Sequence, residues 1–279
     1  MGTSRRFRKL KITCKESWNS TIIIETSIPE TLSQRSAPVD PTPVLQKKFP
    51  EPDTLTVYRQ LAVLDQLYQI YDQFIIPLPV ACRKFCARCC TCNVSLTTLE
   101  ARKIILSMNV DSNRNLLDIL KKTINRPRFI PKITTNRLAD LCLSGEDPPE
   151  EEMDPSWGPC PLLTDNACPV YEARPFACRC MVSTRQCAES GIADMDDFTL
   201  TVNHVFLQYI EHIDKNGYSG NLSDVLARAI LQEPKDSGGS SAILQNTLIP
   251  NAPMKALLIP PEHREKIAPI LSAIQAIKD

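Results

Sequence analysis

Ten of the twelve cysteines fall into two groups: Cys82, Cys86, Cys89, Cys90 and Cys92, then Cys160, Cys168, Cys178, Cys180 and Cys187. Thiolates are soft donors, and several together bind zinc, iron or an iron–sulfur cluster. Cys86 and Cys89 make a C-x-x-C, a spacing at which two sulfurs converge on one ion. Cys89 and Cys90 are neighbours. Adjacent side chains rarely reach the same ion, so this pair suits two metals or two sites. Cys160 and Cys168 flank a predicted hairpin turned at 164–166, where Asp165 and Asn166 are turn formers. Such a hairpin brings both thiols close.

The charges around these groups favour thiolates. Arg83, Lys84 and Arg88 surround the first group without an acid, and Arg174, Arg179 and Arg185 stand against Glu172 alone in the second. Cations beside thiols lower their pKa and offset the negative charge of a thiolate site. Arg174 and Arg179 are the expected cofactor-side residues. Tyr171 and Phe176 read as packing that shields the metal. His204, His212 and His263 read as structural or surface histidines, and no H-E-x-x-H, paired-carboxylate, Ser/His/Asp or P-loop pattern stands out.

The elements that must position these residues are mostly helical. Apolar residues at three and four predict a helix over 54–76, with Asp53 as N-cap and Pro77 and Pro79 as its end. Thr97-Thr98-Leu99-Glu100 is a capping box opening a helix to Met108. Further helices are predicted over 113–124, over 135–143 with Gly145 ending it, over 198–215 after Asp196-Asp197, and after Ser223 as far as Pro234. The acidic loop 146–154 reads as solvated surface. Residues 157–190 are Pro- and Cys-rich without periodicity, so they need cohesion beyond a hydrophobic core. The expected fold is mostly α: a helical domain over 53–234 with an irregular Cys-rich metal-binding core and a few short strands. Residues 1–52, basic and then Pro-rich, read as a poorly ordered arm with a short strand near 21–25; residues 235–279 read as linker, strand and helix, with a flexible joint at 237–241. Cys14 reads as a free thiol in the arm, and Cys142 as a small buried hydrophobe.

Thirty-two basic and thirty-two acidic residues leave no net charge, so no global field draws nucleic acid or a membrane surface. No apolar run of signal-peptide or membrane-spanning length follows the basic N-terminus. The expected location is therefore cytoplasmic, where clustered Cys more often mean metal than disulfides. Neither membrane nor nucleic-acid partners are expected.

With the spacing Cys82…Cys86…Cys89-Cys90, then Cys160-Pro-Leu-Leu, Cys168-Pro-Val-Tyr-Glu-Ala-Arg-Pro and Cys178-Arg, the chain resembles the YkgJ-type cysteine-cluster family. That family is also called CxxCxxCC, a zinc- or iron-chelating domain related to flagellin lysine-N-methylase. The resemblance covers about 82–187, with one departure: three residues, not two, separate Cys82 from Cys86. It implies that Cys86, Cys89, Cys90, Cys160, Cys168 and Cys178 bind zinc, iron or an iron–sulfur cluster. Cys82 follows these, and Cys180 completes the expected set, with Cys92 and Cys187 as alternatives. The family implies no single reaction. A lysine methylase acting on a protein, or an interaction module with a structural metal, are the other readings. Cys82-x3-Cys86-x2-Cys89 also matches the radical SAM spacing, but alternating βα units and a Gly-rich segment are missing.

Overall fold

A computed structural model describes residues 9–10, 57–123, 125–187, 193–231 and 247–277. The fold is mostly α. In chain order the elements are β1 (Lys9–Leu10), α1 (Val57–Ile75), β2 (Ser95–Thr97), α2 (Thr98–Ser107), α3 (Val110–Thr123), α4 (Thr135–Leu143) and β3 (Glu151–Glu152). They continue as α5 (Phe176–Arg179), α6 (Asp197–Ile213), β4 (Tyr218–Asn221), α7 (Leu222–Leu231), β5 (Leu248–Pro250) and α8 (Arg264–Gln275). β4 pairs antiparallel with β2 on one side and β5 on the other.

Local signals set several of these ends. Thr97 caps α2, and Glu100 returns the bond to the Thr97 backbone N–H, closing the capping box. Asp196 caps α6 by accepting from Thr199 N–H at 2.9 Å. α4 ends at Gly145, whose φ of 71° is the left-handed conformation a helix end favours. α3 begins at Val110, three residues before the predicted start. The start of α7 is served by Asn221, which accepts from Ser223 N–H at 3.0 Å, rather than by the predicted Ser223. The Asp53 cap, the strand near 21–25, the free Cys14 and the joint at 237–241 lie outside the described residues.

Two packed cores hold the domain. The first joins α1, α6 and α8 around Leu64, Leu67, Tyr71, Phe206 and Ile210. The second joins α2, α3 and α7 with β2 and β5 around Ile104, Leu120, Val225 and Leu226. The Cys-rich stretch feeds both. Phe176 is fully buried in the first core, its ring 4.7 Å edge-on from Tyr71 and 5.5 Å stacked on Phe206. Leu162, Val170 and Ala173 pack into the second. The expectation that 157–190 lacks a hydrophobic anchor is corrected. Single apolar side chains spaced along an irregular backbone carry no period, yet each is worth about 1.5–3 kcal/mol when buried.

The acidic loop is likewise less solvated than expected. Glu151 is buried, accepts from Lys132 N–H at 2.7 Å, and lies in β3, paired with β1. Cys142 is buried beside Ala139 and Leu258, as a small apolar residue would be, but it is also disulfide-bonded. Its reading as a bystander is corrected on that point. His263 is half-buried against the Phe198 ring, with Nδ1 2.9 Å from Thr201 Oγ1, and is more than a surface residue.

His204 on α6 is 3% exposed and its Nε2 has no partner. Burial pushes its pKa down from 6.5 to about 4. The unfolded chain therefore takes up a proton at this site between those values while the folded chain does not, so stability falls as pH drops through that window. At about 1.4 kcal/mol per pH unit, the loss is on the order of 3 kcal/mol. His204→Leu should leave stability at pH 7 equal or higher, because it deletes an unsatisfied polar atom. It should also flatten the loss between pH 6.5 and pH 4.5 in urea unfolding. An unchanged pH dependence in the variant would contradict this account.

Candidate metal centre

The first cysteine segment runs from the end of α1 to β2 as consecutive tight turns. Cys86 N–H closes one on Arg83 O at 3.0 Å, and Cys90 N–H closes the next on Ala87 O at 3.2 Å. The second segment begins with the predicted hairpin. Thr164 and Ala167 pair across it, and Asp165 and Asn166 both adopt positive φ, 49° and 60°. That pattern is the two-residue turn that matches strand twist, and Asn and Asp tolerate it. After it, Pro175 opens α5, and Cys178 N–H bonds Pro175 O at 3.0 Å.

Backbone bonds fasten the two segments together. Cys160 N–H donates to Cys90 O and Cys92 N–H to Gly158 O, each at 3.0 Å. Ala81 N–H donates to Ser183 O at 2.7 Å, tying the entry of the first segment to the end of the second. Asn221, fully buried, donates to Cys92 O at 2.8 Å and to Phe129 O at 2.9 Å.

One carboxylate does the same for the helices. Glu100, 3% exposed, accepts from Tyr68 Oη (2.9 Å) on α1 and from Phe176 N–H (2.7 Å) at the start of α5. Its other oxygen accepts from Thr97 N–H at 2.9 Å. Burial raises its pKa, and the Phe176, Thr97 and Tyr68 bonds pull the other way.

Between the segments lies a cavity of about 140 Å³ lined by eight thiols: Cys82, Cys86, Cys89, Cys90, Cys160, Cys168, Cys178 and Cys187. Val94, Leu162, Val170, Val182 and Leu222 give it apolar walls. The expected residues Cys82, Cys86, Cys89, Cys90, Cys160, Cys168 and Cys178 thus come together. Cys180 does not line the cavity. It is buried on the first core, its Sγ 3.7 Å from Ala177 O one turn back. Cys187 takes its place on the wall. Both lie in the same run of sequence, and only the path of the chain after α5 separates them. Cys92 faces Asn93 and Pro127 instead.

Arg174 and Arg179 both line the cavity. Arg174 stacks on Tyr171 at 4.0 Å; burial raises the Cys168 thiol, and the Arg174 charge offsets part of that rise. Arg179 grips Asp72 with one nitrogen at 2.8 Å to each oxygen and Glu172 O with another at 2.9 Å. Its Nε is buried and has no partner. A buried guanidinium nitrogen left without an acceptor is costly, and in a thiolate-lined cavity the missing acceptor would be sulfur. That donor set and that unpaired donor fit a thiolate-bound metal.

The thiols are strongly desolvated. Burial pushes Cys160 up to about 11 and raises Cys178 well above the usual thiol range, helped by the neighbouring Cys160 and Cys168. The neighbours Cys89 and Cys90 act on each other, which raises Cys89 and lowers Cys90. Cys90 lies in the field of Cys160, Cys168 and Cys178, Cys82 lies in that of Cys86, Cys89 and Cys187, and Cys178 also feels Cys89. Among the described residues no three Cys, His, Asp or Glu side chains already stand in a metal-holding arrangement.

Residues 81–198 match the family model described as "CxxCxxCC: Putative zinc- or iron-chelating domain". That segment belongs to the cysteine-cluster family. No curated protein matches the chain, and no solved structure does. The matched residues include every thiol of the cavity and the start of α6. Among the described residues no helix is long and apolar enough to cross a membrane.

Glu100→Ala should cost about 2–4 kcal/mol in urea unfolding, because it takes the acceptor from four donors, the Tyr68 and Thr97 hydroxyls and the Thr97 and Phe176 N–H groups. It should also lower the metal retained on purification, because α5 and Cys178 lose their anchor. Glu100→Gln, which keeps one accepting oxygen, should lose less of both.

Proposed function

We propose that this protein holds zinc or iron through eight thiols in two halves: Cys90, Cys160, Cys168 and Cys178 in one, Cys82, Cys86, Cys89 and Cys187 in the other. The observation that carries this is the single cavity lined by all eight. Adjacent side chains rarely reach the same ion, so the neighbours Cys89 and Cys90 are assigned one to each half. Cys187 replaces Cys180 in the expected ligand set because of their positions on and off the cavity wall.

The apolar walls exclude water, and Arg174 and Arg179 offset the charge of the thiolates. Iron–sulfur is the favoured occupant, since clustered and vicinal thiols suit a polynuclear centre; two four-coordinate zinc ions would use the same eight thiolates. Bound iron–sulfur would supply one-electron chemistry; zinc would supply a fixed cross-link between the two segments. Metal entry must displace protons from the raised thiols, so binding releases protons. No observation favours the lysine methylase reading or the interaction module over metal binding, and no reaction is assigned. The proposed location is the cytoplasm.

Purification without oxygen, followed by metal and sulfide analysis and an absorption spectrum, tests the occupant. Iron with sulfide and visible absorption is expected; a colourless protein with stoichiometric zinc would establish the other metal. Cys187→Ser should lose the metal of one half, and Cys180→Ala should keep both. Equal metal content in the two variants would overturn the ligand assignment.

A further inference from the structure

Beside the thiol cavity lies a second, open groove of about 920 Å³. It shares Cys82, Cys86 and Cys187 with the cavity and is otherwise walled by Arg83, Lys84, Phe85, Arg88, Asn166 and Arg185, among others. Among the described residues no carboxylate lines it. The volume is in the range of pockets that enclose small organic ligands.

Two of its cations are already engaged. Arg185 pairs with Asp194 at 2.9 Å, and Lys84 is loosely placed 3.9 Å from Glu172. Arg83 and Arg88 have no ion pair among the described residues. Both guanidinium groups belong to residues on the wall of the groove. A guanidinium fork suits phosphate, with two parallel N–H bonds to two oxygens.

Phe85 is the second, independent feature. It occupies the third position of the turn Arg83–Cys86 with φ of 70°. A turn of this kind calls for Gly there, and a bulky side chain at positive φ is strained. Burial does not compensate, because the ring is 66% exposed. Neither the turn nor the core accounts for an aromatic residue at this position. A flat ring on the wall of a basic groove is the arrangement that stacks on an aromatic base.

We propose that this groove binds a mononucleotide, its phosphate held by Arg83 and Arg88 and its base laid against Phe85. This goes beyond metal binding and does not depend on which metal the thiols hold.

The test is calorimetric titration of the full chain, with the metal it carries on purification. The probes are AMP, GMP, CMP and UMP, with ribose 5-phosphate and adenosine as phosphate-only and base-only controls. At least one nucleotide should bind roughly tenfold tighter than either control, the gain expected of one stacked base. Arg83→Gln and Arg88→Gln should each weaken it roughly tenfold, as expected for loss of a charged hydrogen-bond pair. Phe85→Gly should abolish the advantage over ribose 5-phosphate while raising the melting temperature, because the turn strain is relieved. Phe85→Leu, which keeps the backbone burden, should lose the same advantage without that rise. Metal content, measured on every variant, should not change. No nucleotide binding above the controls at millimolar concentration would overturn the proposal. So would nucleotide binding that survives the loss of both arginines.

Discussion

The carboxylate of Glu100 is where the architecture of this domain meets. It completes the cap of α2, receives the Tyr68 hydroxyl from α1 and receives the backbone N–H of Phe176. Through Phe176 it fixes the start of α5, the short helix that carries Cys178. Four donors from three separated parts of the chain converge on one buried group. An ionised carboxylate in such a place is tolerated only when its oxygens are filled. The cost of burying it thus becomes a geometric demand on everything it touches. Phe176 then carries that demand into the first core, where Tyr71 and Phe206 grip its ring.

The parts of this fold that depend on neighbours in sequence are the parts legible from sequence. The Thr97–Glu100 capping box, the Asp196 cap, the Gly145 stop and the Asp165–Asn166 turn each follow from a few adjacent residues. The convergence of seven expected thiols is legible too, because clustered cysteines have few other uses in one segment. The remainder depends on contacts across more than a hundred residues. Glu100 advertises only its capping role, although Tyr68 and Phe176 take as much of it. The buried state of 157–190 is hidden because its apolar residues serve two cores and so follow no single period. Cys180 and Cys187 are indistinguishable by type and neighbourhood. What separates them is that Cys180 closes the turn of α5 and faces the core, while the chain beyond Ser183 brings Cys187 back to the cavity.

Ser183 is the pivot of that return. Its hydroxyl donates to Arg185 O at 2.7 Å and accepts from Asp194 N–H at 2.9 Å. Thr184 N–H meets Asp194 O at 2.9 Å. These bonds close a loop whose two ends are fixed although its middle carries Cys187. The same residue's carbonyl receives Ala81 N–H, so the positions of Cys82 and Cys187 are set from one point. A side chain of no chemical prominence thereby helps to place two thiols of the proposed set.

This placement bears on how metal binding and folding are related. In small zinc modules the binding energy is the folding energy, because no core exists without the ion. Here two hydrophobic cores and the Glu100 network rest on apolar side chains and hydrogen bonds. The Cys90–Cys160 and Cys92–Gly158 backbone bonds already bring the segments together. All eight sulfurs belong to residues on the wall of one cavity. What remains for a metal is to take the protons and draw the side chains inward, while the backbone frame stays. Most of the free energy of chelation is then available as affinity rather than consumed in folding. Removing the metal would loosen the two cysteine turns first, since none of residues 83–90 is buried.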